Sequence, residues 1–152
     1  MNSGPVSAPS RRDAEKGARA KGAEREAFVE RMFDDIAKPY DDLNRVMSLG
    51  RDVAWRRAAI ALAGLTAGSK VADLGCGTGD LALEASTVVG GAGDVVGVDL
   101  SEGMLDRARE KIRASGRRNV RVVRANAQDT KLPEAWADAV VMGWSLRNVG
   151  DR

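Results

Sequence analysis

The chain has 152 residues, and its 24 Lys and Arg against 22 Asp and Glu leave a net charge of only +2, which fits one ordinary domain and excludes a protein that holds nucleic acid chiefly by bulk phosphate neutralisation. With no histidine and a single cysteine, Cys76, the chain has no internal disulfide framework, no imidazole general base and no basis for a zinc site, so no metal is expected. No apolar run approaches the roughly 20 residues that span a bilayer and the N-terminus carries no secretory pattern, so a cytoplasmic protein is the expectation.

In chain order, residues 1–23 are rich in Ser, Pro, Ala, Gly and charge, with too little apolar material to offset chain ordering, and are expected to form a disordered tail. Asp13, Glu15 and Glu24 among the basic residues of the first 25 positions argue against an organellar transit peptide. Residues 24–66 are expected to form an N-terminal helical lid. There Phe28, Met32 and Ile36, then Tyr40, Leu43, Val46 and Met47, recur at three- and four-residue spacing, and Pro39 should split them into two short helices. A further helix is expected from Asp52 to Leu62, ending near Gly64 or Gly68.

Residues 67–152 change pattern. Val71–Leu74 reads as a short apolar strand, Gly75-Cys76-Gly77-Thr78-Gly79 as a glycine turn, and Asp80–Val89 as a helix through Leu81, Leu83 and Ala85. Val95–Asp99 follows as a second strand, and Ser101 is a suitable N-cap for a helix carrying Met104, Leu105, Ala108 and Ile112, closed near Ser115-Gly116. Val120–Arg124 and Ala139–Met142 read as third and fourth strands. Strands alternating with helices of about ten residues indicate an α/β fold with a mainly parallel sheet, and 17 glycines, above the usual share of about 7%, fit its many tight turns.

The chemistry concentrates at Asp73-Leu74-Gly75-Cys76-Gly77-Thr78-Gly79. Glycines between a strand and a helix let a ligand approach the main chain with no Cβ in the way. Such a turn alone serves a nicotinamide, a flavin or nothing beyond the turn itself. Asp99, 20 residues past Gly79 at the end of the next strand, is placed to accept both hydroxyls of an adenosine ribose, or simply to cap local backbone.

The run VADLGCGTGDLAL resembles the cofactor motif of class I methyltransferases dependent on S-adenosyl-L-methionine, with acidic Asp73 ahead of the glycines. More narrowly, Tyr40-Asp41-Asp42-Leu43-Asn44, Met47-Ser48-Leu49-Gly50, Trp55-Arg56 and Leu146-Arg147-Asn148-Val149 together resemble the quinone-biosynthesis C-methyltransferases that act on demethylmenaquinone or a ubiquinone precursor. The resemblance implies a Rossmann-like class I methyltransferase core, present through its first four strands only and so truncated at the C-terminus. It implies S-adenosyl-L-methionine as cofactor, held by Asp73, Gly75, Gly77, Thr78, Gly79, Asp99, Asn126, Ala127 and Gly143, with Asp129 a weaker candidate. Helix-end amides after Gly79 suit the carboxylate of that cofactor.

The same resemblance implies an isoprenoid quinol substrate under a lid that contributes Tyr40, Asn44, Met47 and Trp55, with Arg147 and Asn148 beside it; Met47 and Trp55 read equally well as ordinary packing. Ring-carbon attack on a sulfonium methyl needs loss of a phenolic proton, for which Asp41 is the candidate base and water the alternative. One departure is that Asp52 stands where family members commonly carry histidine. An unpaired fourth strand is expected to leave Val140, Val141 and Met142 poorly covered and to favour homo-oligomers. The basic residues Arg107, Arg109, Lys111, Arg113, Arg117, Arg118, Arg121 and Arg124 read as a solvated face, with RNA or peripheral membrane contact as alternatives, although no interleaved aromatics offer base stacking. The alternatives to quinol methylation are a noncatalytic module that only binds the cofactor and a class I methyltransferase for another small molecule or RNA.

Overall fold

The computed structural model describes residues 23–37 and 40–143. The segment expected to form the lid, hereafter the lid, contains α1 (Ala23–Ile36), α2 (Tyr40–Met47) and α3 (Asp52–Leu62). The first two helices part at the position expected from Pro39, which itself lies outside the described residues, as do residues 1–22, Arg147 and Asn148. Helix α2 ends in a paired turn: the Gly50 amide donates to the Arg45 carbonyl at 2.8 Å and the Leu49 amide to that of Val46 at 3.2 Å. Leu49 occupies the left-handed position at φ +53°, where glycine is usual; a leucine there costs about 1–2 kcal/mol. Its side chain is 88% exposed, with Val46 72% and Met47 75% exposed beside it. Met47 is therefore not packed against the described residues, the left-handed turn holding this apolar tip out from them.

The core domain runs β1 (Lys70–Leu74), α4 (Asp80–Val89), β2 (Asp94–Asp99), α5 (Glu102–Ser115), β3 (Val120–Arg124) and β4 (Ala139–Val141). The four strands form one sheet in the order β3-β2-β1-β4, and every pairing is parallel. The chain moves outward from β1 through β2 to β3, then returns to lay β4 on the other side of β1. The reversal puts a topological switch point between β1 and β4, outside whose carboxyl ends a crevice forms in such sheets.

Short β-branched strands buried between layers make the core: Val71, Val95, Val120 and Val141 pack with Leu81, Ala82, Ala85 and Val89 of α4 and with Ile60 of α3. The lid is thus partly built into the core. Gly93 tightens this layer, since a Cβ there would lie 2.4 Å from Val89 Cγ2 and 2.8 Å from the Ser69 carbonyl oxygen. Helix α5 carries its expected cap, the Ser101 hydroxyl accepting from the Met104 amide at 3.1 Å, and closes on Gly116 at φ +68°.

The expectation of a poorly covered fourth strand needs correction. Val140 is 60% exposed, but Val141 is buried and Met142 is partly buried. Successive residues of a strand face opposite sides, so Val141 joins the layer filled by α4 while Val140 faces away from it. The observed strand also stops at Val141, one residue short of the expected end, and β2 begins one residue early at Asp94.

Candidate functional site

The glycine turn leaves β1 at the carboxyl edge of the sheet and is stitched to β2. Gly75 and Cys76 amides both donate to the Val98 carbonyl, at 2.7 and 3.0 Å. Gly77, at φ +53°, donates its amide to Asp99 Oδ2 at 2.8 Å, and the Ser101 amide donates to Asp99 Oδ1 at 3.0 Å. Two glycines serve different needs. A Cβ on Gly77 would meet nothing within 4 Å, so the space over the turn is open, whereas one on Gly79 would come within 3.0 Å of Ala108 Cβ and push α5 away. Asp99 thus carries out the backbone-capping role, and each of its oxygens keeps a lone pair for a further donor.

Asp73 is fully buried at the end of β1, paired across the sheet with Gly97 and Val141, and among the described residues neither carboxyl oxygen accepts a hydrogen bond of normal geometry, the Ala82 amide being near enough only to act on its charge. Burial drives its pKa up to about 7, with the Ala82 amide opposing and the Asp99 charge adding to the rise. Asp99 is also raised by burial, against the pull of the Ser101 and Gly77 amides. The buried thiol of Cys76 is pushed well up by burial and by both carboxylates, which makes it packing rather than a nucleophile. It fills the space that Gly97 leaves, where a Cβ would sit 2.8 Å from its sulfur. Among the described residues neither of these two buried acids, which lie beside an open glycine turn, is paired with a cation.

Lid residues reach this site from sequence positions far away. Asp34 of α1 accepts from the Ser101 hydroxyl at 2.6 Å and the Gly103 amide at 3.0 Å, so its negative charge sits at the amino end of α5. Asp41 of α2 accepts from the Thr78 hydroxyl at 2.5 Å and pairs with Lys111 Nζ of α5 at 3.0 Å. Lys111 also donates to Thr78 Oγ1 at 3.2 Å and pairs with Asp80. Asp80 is in turn 3.5 Å from Arg56, which pairs with Asp52 at 2.9 Å. Asp52 is buried; burial alone would raise its carboxyl, but the Ser48 hydroxyl at 3.0 Å and the Arg56 charge outweigh it and hold the pKa below its ordinary value.

The remaining expected site residues are spread along the same edge. Tyr40 packs edge-on against Phe33, ring centroids 6.1 Å apart, Asn44 is partly buried, and Trp55 is exposed. Asn126 opens the turn after β3: its side-chain oxygen accepts from the Gln128 amide at 2.9 Å and its carbonyl from the Asp129 amide at 2.9 Å. Ala127 lies within that turn, and Asp129 pairs with Lys131. Gly143 lies just past β4, where a Cβ would touch Leu81 Cδ2 at 3.4 Å. Sequence reasoning missed Asp34 and the role of Lys111, and no local pattern announces either. Of the basic cluster, Arg107, Arg109, Arg121 and Arg124 pair with Glu110, Glu102 and Asp106, Asp94 and Glu30 respectively, which removes much of its net positive field.

Comparison with known proteins bears on what this edge does. Residues 20–152 match the model of the ubiE/COQ5 methyltransferase family. The demethylmenaquinone methyltransferase of Symbiobacterium thermophilum is 41% identical over 127 residues, covering 83% of this chain and 51% of that protein. The ubiquinone/menaquinone biosynthesis C-methyltransferase of Serratia proteamaculans is 40% identical over 130 residues, covering 85% of this chain and 52% of its own. The crystal structure of a SAM-dependent methyltransferase from Aquifex aeolicus superposes with a TM-score of 0.59 at 28% identity, covering 63% of this chain and 51% of that one. The fold is therefore the Rossmann-like class I methyltransferase fold, and the chain spans about half the length of the curated relatives it matches.

Proposed function

The chain belongs to the ubiE/COQ5 methyltransferase family, and from that membership we propose that it binds S-adenosyl-L-methionine at the glycine turn and methylates a ring carbon of demethylmenaquinol or of a ubiquinone-precursor benzoquinol. The observation that carries the reading is the orphaned carboxyl of Asp73, buried beside an open glycine turn and next to Asp99. A buried acid without partners is costly unless a cation compensates it, and the ligand's ammonium and sulfonium groups supply positive charge. When bound, that ligand supplies a methyl group on an electron-poor sulfur. Asp73 would hold the ammonium, Asp99 the ribose hydroxyls through its remaining lone pairs, and the amides at the start of α4 the carboxylate. The turn with Asn126 and Ala127 would border the adenine.

For the acceptor, Tyr40 and Asn44 of the lid would orient the quinol ring, with Met47 and Trp55 against its apolar parts. Both oxygens of Asp41 are engaged by Thr78 and Lys111, so we assign removal of the phenolic proton to water and give Asp41 a role in the lid. Titration of the 152-residue chain with S-adenosylhomocysteine, followed by incubation with S-adenosyl-L-methionine and a short-tailed demethylated naphthoquinol, tests the proposal. Saturable one-to-one binding and a methylated ring are expected. A folded chain that binds nothing overturns it, and binding without turnover selects the noncatalytic module.

An isoprenoid quinol is a lipid, and we place the protein in the cytoplasm at a membrane surface, meeting it through the tip of the lid. Val46, Met47 and Leu49 are exposed there between exposed Arg45 and Arg51, with no acid from Leu43 to Arg51. Apolar tips flanked by arginines suit anionic bilayers. Among the described residues no helix is long and apolar enough to cross a membrane. The paired variant Met47→Gln, Leu49→Gln is expected to bind phosphatidylglycerol-containing vesicles about tenfold more weakly in co-sedimentation; undiminished binding removes this surface.

A further inference from the structure

Lys111 lies in the second half of α5, outside every role assigned above, and its ammonium has three hydrogens to donate. Each has an acceptor: Asp41 Oδ2 at 3.0 Å, Thr78 Oγ1 at 3.2 Å and Asp80 Oδ1. These belong to three separate pieces of the fold, namely the lid helix α2, the glycine turn and the first turn of α4. Thr78 closes the ring by donating to the other oxygen of Asp41 at 2.5 Å. Thr78 is buried and the three charged side chains are partly buried, and Asp80 carries the connection on to Arg56 and Asp52 of α3. A lysine shared by two carboxylates of opposing elements holds them together only while it is present, since without it Asp41 and Asp80 face each other as like charges.

We propose that Lys111 is the latch of the lid, a positioning residue that clamps α2 onto the glycine turn and so sets how fast the ligand cradle opens. The Thr78 hydroxyl is turned toward Asp41 by the same network, so closure of the lid and the shape of the turn are one event. Loss of the latch leaves the chemistry of the cradle intact but frees its cover. The dissociation rate of a bound ligand then rises more than its association rate changes. The link to ligand release rests on the functional reading above, whereas the clamping of α2 does not.

The test uses the full chain with Lys111→Met, Asp41→Asn and both together. Asp41→Asn leaves Lys111 paired with Asp80, which protects the fold should Lys111→Met prove unstable. Hydrogen exchange of the amides in residues 40–47 is expected to accelerate about tenfold in each single variant and little further in the double, because the Asp41–Lys111 pair is the contact of the lysine that reaches α2 and both changes remove it. Amides of β1 and β2 should exchange as in the parent chain; their parallel acceleration would mean general loosening and overturn the latch. So would exchange in residues 40–47 within about twofold of the parent, or single effects that multiply in the double variant. Stopped-flow release of S-adenosylhomocysteine should quicken about tenfold in the same variants, and an unchanged rate refutes control of the cradle. Failure of the parent chain to take up S-adenosylhomocysteine would sink the functional reading, while the exchange measurement still decides the clamp.

Discussion

Asp73→Asn should remove the share of Asp73 in a fall of stability with pH that the parent chain shows between about pH 4 and pH 7. The carboxyl of Asp73 rises from 3.8 to about 7 on folding, chiefly through burial. Between those values the folded chain keeps a proton that the unfolded chain has lost, so unfolding releases a proton and stability falls as pH rises. The slope is about 1.4 kcal/mol per pH unit and the whole fall is on the order of 4 kcal/mol, flattening above pH 7. Asparagine has no ionisation to displace. Urea unfolding at pH 4.5, 6 and 8 would measure the difference, and parallel pH profiles for the two chains would refute it.

The same substitution should work against the ligand. An ammonium beside Asp73 favours its ionised form, so S-adenosylhomocysteine affinity of the parent chain is expected to climb through pH 7, while that of Asp73→Asn stays low and flat. The site is thus unstable by construction: a carboxyl that costs the ligand-free fold its stability is the one that rewards a cation for binding. Stability and affinity should move in opposite directions at this position, which a merely structural acid would not show.

Asp99→Ala is expected to weaken S-adenosylhomocysteine binding about a hundredfold or more, equivalent to about 2.7 kcal/mol. Two effects add. The variant lacks the carboxylate proposed to hold the ribose, and it leaves the Gly77 and Ser101 amides without their acceptor, a loss of about 1–3 kcal/mol for each amide that water does not reach. The turn would therefore loosen as well as lose its ligand contact. Asp99→Asn separates the two, since its single carbonyl oxygen can still accept one of the amides and should preserve more of the thermal midpoint than of the affinity. Calorimetry paired with thermal melts measures both, and tight binding by a folded Asp99→Ala chain would remove Asp99 from the site.

What the sequence determined by itself is the local part of this protein. Periodicity and breakers placed every described helix and strand to within a residue or so, because the end of α1 at Ile36, the start of α2 at Tyr40, the Ser101 cap, the Gly116 stop and the glycine turn depend on neighbours a few residues away. The motif around Asp73 and Asp99 was legible for the same reason: one strand, one turn and the next strand bring both acids to the same edge.

Only the tertiary structure decided which charges meet. Asp41 and Lys111 are 70 positions apart and Asp34 and Ser101 are 67 apart. Likewise, the basic cluster is matched by acids as distant as Glu30, which is 94 residues from its partner Arg124. Burial was equally out of reach where it depends on which face of a strand or turn is covered. Val141 lies inside and Val140 outside on one strand, and the left-handed turn at Leu49 holds Met47 and its neighbours in solvent. Hydrogen bonding and periodicity act over a few residues and leave a trace in the sequence, whereas electrostatic pairing and burial act over ångströms and acquire their partners only when the chain has folded.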